Sequence, residues 1–209
     1  MLRSSCTALA LLASVIVPPA EAADLPLDTA EIESITGLTG TMNKAENVFK
    51  VSRPRTDVKL NVDRLAMLPF MGITSWAAFT PAHGGAMLMG DTVLFEDEVN
   101  PAMSAALDVG LEVTALHNHF FFDQPRVYFM HIGGMGDTRR LAAGVKAVYD
   151  RVDQVRAAQP APMVSFPGDI PTPSTISVGP IGEVFTGTKV QSDNGMAKVV
   201  IGRTVKMQA

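Results

Sequence analysis

The sequence predicts an α+β domain, mostly an antiparallel sheet in which a histidine-bearing hairpin is packed by two helices. Three observations support this class. Short apolar runs separated by turn residues are typical of strands, two segments have helical periodicity, and the predicted elements do not alternate regularly as in a parallel sheet. With 47% hydrophobic and 18% charged residues among 209, the composition is that of a folded chain.

The amino-terminal segment, residues 1–22, has the features of a signal peptide. Arg3 precedes an apolar stretch from Ala8 to Val17, and Ala20-Glu21-Ala22 has the small-x-small pattern that signal peptidase cleaves. We therefore expect cleavage after Ala22 and a periplasmic or secreted mature protein. The apolar stretch is shorter than the roughly 20 residues that cross a bilayer, so we expect no transmembrane segment.

Charge and cysteine content exclude further classes. The chain has 17 basic and 21 acidic residues, a net charge of −4, and no basic block. A polyanion would meet no positive field, so nucleic acid is not an expected partner. The single cysteine, Cys6, lies in the predicted signal peptide, so the mature chain can form no disulfide.

Several short strands are predicted in the first half of the mature chain. Proline and glycine break the apolar runs at Arg53-Pro54-Arg55 and in the turn from Pro81 to Gly85. The predicted strands are Val48–Ser52, Val58–Val62, Ile73–Phe79, Ala86–Met89 and Thr92–Phe95.

Two helices and a hairpin follow. Asn100 before Pro101 suits the start of a helix that runs to Val109. The apolar runs Leu111–Phe122 and Arg126–Ile132 flank Asp123-Gln124-Pro125, which indicates a hairpin. Asp137 can cap the second helix, whose apolar residues repeat at helical spacing and predict one buried face: Leu141, Val145, Val148, Val152 and Val155.

The composition changes after residue 158. Five prolines among residues 159–177 indicate a linker, and residues 178–209 resemble the opening of the mature chain. Lys198-Val199 matches Lys50-Val51, and the residues that follow each pair also match in part. We therefore expect a signal peptide (1–22), an α+β domain (23–158), a Pro-rich linker (159–177) and a partial second repeat (178–209). A chance match is the alternative explanation of the repeat.

Three of the four histidines lie on the two arms of the predicted hairpin. On a strand, His117 and His119 point to the same face. If Asp123–Pro125 is a three-residue loop, Phe122 pairs with Arg126 and His117 lies opposite His131. All three imidazoles then share one face, whereas a loop one residue shorter or longer turns His131 away.

Three converging imidazoles are typical ligands of zinc or another borderline divalent metal, so His117, His119 and His131 are the predicted metal ligands. Glu96 and Glu98 are the candidate catalytic carboxylates, because either could ligate the metal or act as general base on a metal-bound water. The alternatives are structural histidines bonded to the backbone, and acids that complement the dipole of the following helix.

A family resemblance rests on these same segments. Glu96–Pro101, Leu111–His119, Pro125-Arg126 and Phe129–His131 resemble the LppY/LpqO-like family of secreted bacterial envelope proteins, a domain of unknown function. The resemblance covers about Ile32 to Val155 and implies two such units in tandem. The histidine segment of the second unit is absent from this sequence.

Two functions from different classes are therefore expected. One is a metal-dependent hydrolase or lyase, and the alternative is a non-catalytic module that binds an unknown small-molecule or cell-envelope ligand. A third alternative is that the chain is a truncated remnant without activity.

Overall fold

The computed structural model describes residues 26–82, 84–163, 176–193 and 196–202, and residue 204. The predicted signal peptide lies outside the described residues, as do His83 and most of the predicted linker. The chain divides into two compact units, Met1–Val164 and Ser165–Ala209, and each is described by itself.

The first unit is an α+β fold, as predicted. Six antiparallel strands form a sheet in the order β1-β2-β5-β6-β9-β7, and three more form a small sheet in the order β4-β3-β8. The elements of this unit are α1 (Thr29–Thr36), β1 (Gly40–Asn43), β2 (Val48–Pro54), β3 (Leu60–Val62), β4 (Leu65–Met67), β5 (Thr74–Ala82), β6 (Gly85–Phe95), α2 (Val99–Asp108), β7 (Glu112–His117), β8 (Asp123–Gln124), β9 (Val127–Gly136) and α3 (Thr138–Ala158).

Helices cover one face of the large sheet and form the main core. Both predicted helices are confirmed, and the side chain of Asp137 caps α3 by accepting from the Arg140 amide at 2.8 Å. Four residues of the predicted stripe, Leu141, Val145, Val148 and Val152, lie with Leu88 and Ile132 of the sheet in one cluster of buried side chains, whereas Val155 is only partly buried. Leu141, Val145 and Val148 in that stripe are completely buried.

The opposite face of the large sheet is only partly covered. Because side chains alternate along β6, Val93 and Phe95 point away from the helices, and they pack with Phe129 and with Leu60 of the small sheet in a second core. Farther along the same face of β6, Met89 is 59% exposed. This face is therefore covered beside the small sheet and open beyond it.

The hairpin that carries the histidines differs from the predicted one. A nine-residue connection, 118–126, replaces the expected three-residue loop, and β8 within it pairs with β3. His117 lies opposite Phe129 instead of His131, so the expected register was wrong by two residues. An even shift leaves the face of a side chain unchanged, and His117 and His131 still share a face.

A buried ion-pair network joins the end of β2 to the start of α2. The guanidinium of Arg55 donates to both oxygens of Glu98, each at 2.8 Å, and Glu98 also accepts from the Phe95 amide. Burial alone would lower the pKa of Arg55, but hydrogen bonds to Asp57 and Glu98 outweigh it and raise that pKa. Arg156 of α3 lies 2.8 Å from the same carboxylate, so three segments of the chain meet at Glu98.

The second unit contains a helix followed by a hairpin. They are α4 (Val178–Val184), β10 (Lys189–Asp193) and β11 (Met196–Val200). The first unit begins with the same order, α1 and then the β1–β2 hairpin, and Lys50 and Lys198 both lie on the second strand. This order agrees with the repeat, which stays a prediction. No helix in the described ranges is long and apolar enough to cross a membrane.

We predict that Glu98→Gln lowers the free energy of unfolding by about 3–5 kcal/mol, because it removes the buried charge that Arg55 and Arg156 share and leaves Arg55 with only the partly exposed Asp57 as a charged partner. Urea denaturation measures the change. Lys146→Met is the control: the exposed pair Lys146–Asp150 should contribute less than about 1 kcal/mol. A Glu98→Gln loss as small as that of the control would contradict the role of the network.

Candidate functional site

The three predicted histidines come together on the partly open face of the large sheet. His117 ends the edge strand β7, His131 lies in the middle of the neighbouring strand β9, and His119 follows β7 in the connection. A β-bulge at Thr114 decides the face of His117, because the register shifts by one residue between Val113 and Ala115. Without the bulge, His117 would point toward the helices.

His117 and His131 are in direct contact. Their Nε2 atoms are 3.0 Å apart, and the two rings are nearly perpendicular, at 86°. At this distance two bare nitrogen lone pairs would repel, so one imidazole donates an N–H to the other or both face a shared cation.

His119 lies beside this pair but faces a different neighbour. Its ring stacks on Phe129 with centroids 3.5 Å apart, and its centroid is 4.9 Å from that of His117. Burial, and then the neighbouring His117, lower the pKa of His119 below its ordinary value. His119 thus covers the end of the second core.

Asp91 is the carboxylate at the histidines, and sequence analysis missed it. It is the Cα partner of His131 across β6 and β9, and its Oδ2 lies 3.9 Å from His131 Nε2. Its side chain is 14% exposed, and its buried Oδ1 has no hydrogen-bond partner among the described residues. Burial raises the pKa of Asp91, against the opposing charge of the three imidazoles.

The structure separates Glu96 and Glu98 from the histidines. Both follow the end of β6. Glu96 is exposed beside Arg126 and Lys59 in another groove. The oxygens of Glu98 are bonded to Arg55 and to backbone, so neither glutamate is positioned to act on a group held by the imidazoles.

Hydrogen bonds fix the connection that carries His119. Asn118 Nδ2 donates to the Val127 carbonyl at 3.0 Å, and Asp123 Oδ2 accepts from the Val127 amide at 2.7 Å. The Asp63 amide donates to the Phe122 carbonyl, which ties the connection to the small sheet. The backbone on both sides of His119 is therefore anchored.

As the side chains lie, no three or more His, Asp, Glu or Cys residues in the described ranges are grouped so as to hold a metal ion. The Nε2 atoms of His117 and His131 are 3.0 Å apart, whereas two ligands of a tetrahedral ion at about 2.0–2.1 Å are roughly 3.3 Å apart. This pair is close to ligand spacing. A third ligand requires rotation of the Asp91 or His119 side chain.

Comparison with known proteins identifies the family of this chain but does not indicate an activity. The family model described as Domain of Unknown Function (DUF1259) matches residues 30–151, more than half of the chain, and this range includes all three histidines and Asp91. No curated protein and no solved structure matches the chain.

We predict that Asp91→Asn raises the free energy of unfolding of chelator-treated protein by about 1 kcal/mol or more at pH 7, because it removes a buried charge with an unpartnered oxygen. Since the pKa of Asp91 is raised in the folded state, this gain should diminish as pH falls through that pKa and the wild-type carboxyl becomes protonated. Urea denaturation across a pH series measures both.

Asp150→Asn is the matched control, since the Asp150 side chain is 49% exposed. It should change the free energy of unfolding by less than about 0.5 kcal/mol. If Asp91→Asn destabilises the chelator-treated protein, Asp91 is a structural residue in a satisfied environment.

Proposed function

The chain belongs to the family described as Domain of Unknown Function (DUF1259), and from its geometry we propose that it is a divalent-metal-binding protein. The proposed ligand set is His117, His131 and Asp91, with His119 as the adjacent third imidazole, and the proposed metal is zinc. We further propose that the protein is exported and that it belongs to the LppY/LpqO-like group.

The observation that carries the proposal is the meeting of two imidazoles and a charged carboxylate that has a free oxygen. The Nε2 atoms of His117 and His131 face each other at 3.0 Å. Asp91 Oδ2 is 3.9 Å from His131 Nε2, and its buried Oδ1 has no hydrogen-bond partner in the part of the chain that the structure describes. Imidazole nitrogen and carboxylate oxygen are common ligands of zinc.

Electrostatics supports a cation at this position. A carboxylate that is largely buried is costly unless an opposite charge or hydrogen bonds compensate it. Arg55 and Arg156 compensate Glu98 in this way, whereas no Lys or Arg side chain pairs with Asp91 within the described ranges. A bound cation would supply that charge, and it would separate the facing nitrogens of His117 and His131.

His119 is the side chain that must move most if three imidazoles are to bind one ion. Its ring is stacked on Phe129 and is exposed to solvent, so rotation about its side-chain torsions breaks this ring contact. His117 and His131 need no comparable movement, because their nitrogens already face each other.

A metal-dependent hydrolase or lyase is the catalytic extension of this proposal. A bound divalent metal supplies a Lewis acid and lowers the pKa of a coordinated water. For catalysis, Asp91 would act as the proton acceptor in place of Glu96 and Glu98, because it is the carboxylate close to the imidazoles, and His119 would take its place as the third metal ligand.

The second candidate function is a binding module without a metal. One observation favours it: His117 and His131 can form a neutral hydrogen bond at 3.0 Å, and His119 already stacks on an aromatic ring. In that case the imidazoles would contact an envelope ligand through their N–H groups and ring faces.

We predict that the purified protein binds about one zinc ion per chain, and that His117→Ala and His131→Ala each weaken zinc binding at least about tenfold, because each removes a nitrogen ligand. Isothermal titration of chelator-treated protein and elemental analysis measure this. Asp91→Asn should also weaken zinc binding while the protein stays folded.

The fourth histidine provides the matched control. His83→Ala should bind zinc as the wild type does, since sequence analysis assigns His83 to a turn outside the hairpin. Absence of zinc binding in the folded wild-type protein would refute the metal proposal. If ligand retention on cell-envelope material then depended on His117, the binding module would be the better account.

A further inference from the structure

A small apolar cavity opens beside His131, on the same face of the large sheet as the histidines. Its volume is about 130 Å³. Trp76, Met89 and Thr114 line it together with His131, and Gly133 contributes to its floor. One wall of the cavity is thus a residue of the candidate metal site, and the other walls are mainly apolar.

The cavity exists because β9 has a glycine at this position. Residues 127, 129, 131, 133 and 135 of β9 point to the same face, and among them only Gly133 has no side chain. Gly133 is the Cα partner of Met89 on one side and of Glu112 on the other. The missing side chain leaves the space between Met89, His131 and Thr114.

Neither packing nor backbone conformation requires a glycine at this position. A Cβ on Gly133 would meet the Leu88 carbonyl oxygen at 3.5 Å and Thr114 Cγ2 at 3.9 Å, which are ordinary contacts, and its φ is not positive. At Gly90, by contrast, a Cβ would lie 2.9 Å from the Trp76 carbonyl oxygen. Gly90 is explained by close packing, whereas Gly133 is explained by the cavity.

Two further features shape the walls. The β-bulge at Thr114 turns an extra side chain toward Gly133, as bulges beside functional sites commonly do. The ammonium of Lys50 lies 4.5 Å from the ring centroid of Trp76, a cation–π contact that helps to hold the indole in place.

We propose that the ligand of the histidine–aspartate site carries a single aromatic ring, which is seated in this cavity against Trp76. Apolar cavities of about 150 Å³ bind benzene, and the present volume is close to that. An indole wall favours an aromatic ring over a linear chain of equal size. The expected position of the ligand's polar end rests on the proposed function, because that end would bind a metal held by His117 and His131.

Two hydroxamates test the ring preference on the zinc-loaded full chain. Benzohydroxamate and acetohydroxamate present the same metal-chelating group, but benzohydroxamate carries a phenyl ring where acetohydroxamate carries a methyl group. Wild-type protein should bind benzohydroxamate at least about tenfold more tightly, as expected from burial of part of a ring. Gly133→Val fills the cavity, so this variant should lose the preference and keep its affinity for acetohydroxamate and zinc.

Ala78→Val is the matched control, because it also introduces a valine on the same face of the sheet, on β5 opposite Met89. It should keep the preference for benzohydroxamate. Equal affinities of the two hydroxamates in the wild-type protein, or a preference that persists in Gly133→Val, would overturn the proposal.

A second measurement needs no metal. Trp76 is the only tryptophan of the chain, so its fluorescence reports on the cavity alone. Benzyl alcohol added to chelator-treated protein should cause a saturable change in emission that Gly133→Val abolishes and Ala78→Val retains.

The two measurements separate the inference from the proposed function. If zinc fails to bind but benzyl alcohol gives the saturable change, the metal proposal is wrong and the ring site stands. If zinc binds but neither probe detects a ring site, the inference is wrong and the metal proposal stands.

Discussion

The antiparallel pairing of β6 with β9 is the interaction on which the two cores and the candidate site depend. It runs over ten residue pairs, from Ala86 with Gly136 to Phe95 with Val127. Because side chains alternate along both strands, one face of the pair supplies Leu88 and Ile132 to the core under the helices. The other face supplies the second core and the residues of the candidate site. A slip of one residue in this register would exchange the two faces.

Two buried carboxylates near this pair of strands differ in how their charges are balanced. Glu98 is completely buried, and its charge is balanced by Arg55 and Arg156, so it joins segments that are distant in sequence. Asp91 is also largely buried, but its Oδ1 has no hydrogen-bond partner among the described residues and its neighbours are imidazoles. A buried carboxylate oxygen is normally satisfied by a hydrogen bond from protein or water, or by a bound ion. This contrast is the physical basis for proposing a binding role for Asp91 and a structural role for Glu98.

Much of the fold was predictable because its signals are local. The helical spacing of Leu141, Val145 and Val148 predicts the buried face of α3, and alternation predicts most strands. The turn after His117 was not predictable. Asp123 and Gln124 look like the tip of a hairpin, yet they pair with β3, some sixty residues earlier in the chain. The choice between a tight turn and a distant strand is made by tertiary pairing, and no local pattern contains it.

The sequence by itself determined the α+β class, the two helices and the placing of His117 and His131 on strands, because the periods of helices and strands are properties of consecutive residues. Only the tertiary structure decided which face His117 takes, since that depends on the bulge at Thr114. It alone brought Asp91 to His131 and moved Glu96 and Glu98 away, because cross-strand partners are set by register over the whole sheet. The tertiary structure also decided the cavity over Gly133. The glycine leaves a space, but residues on other strands form the walls around it.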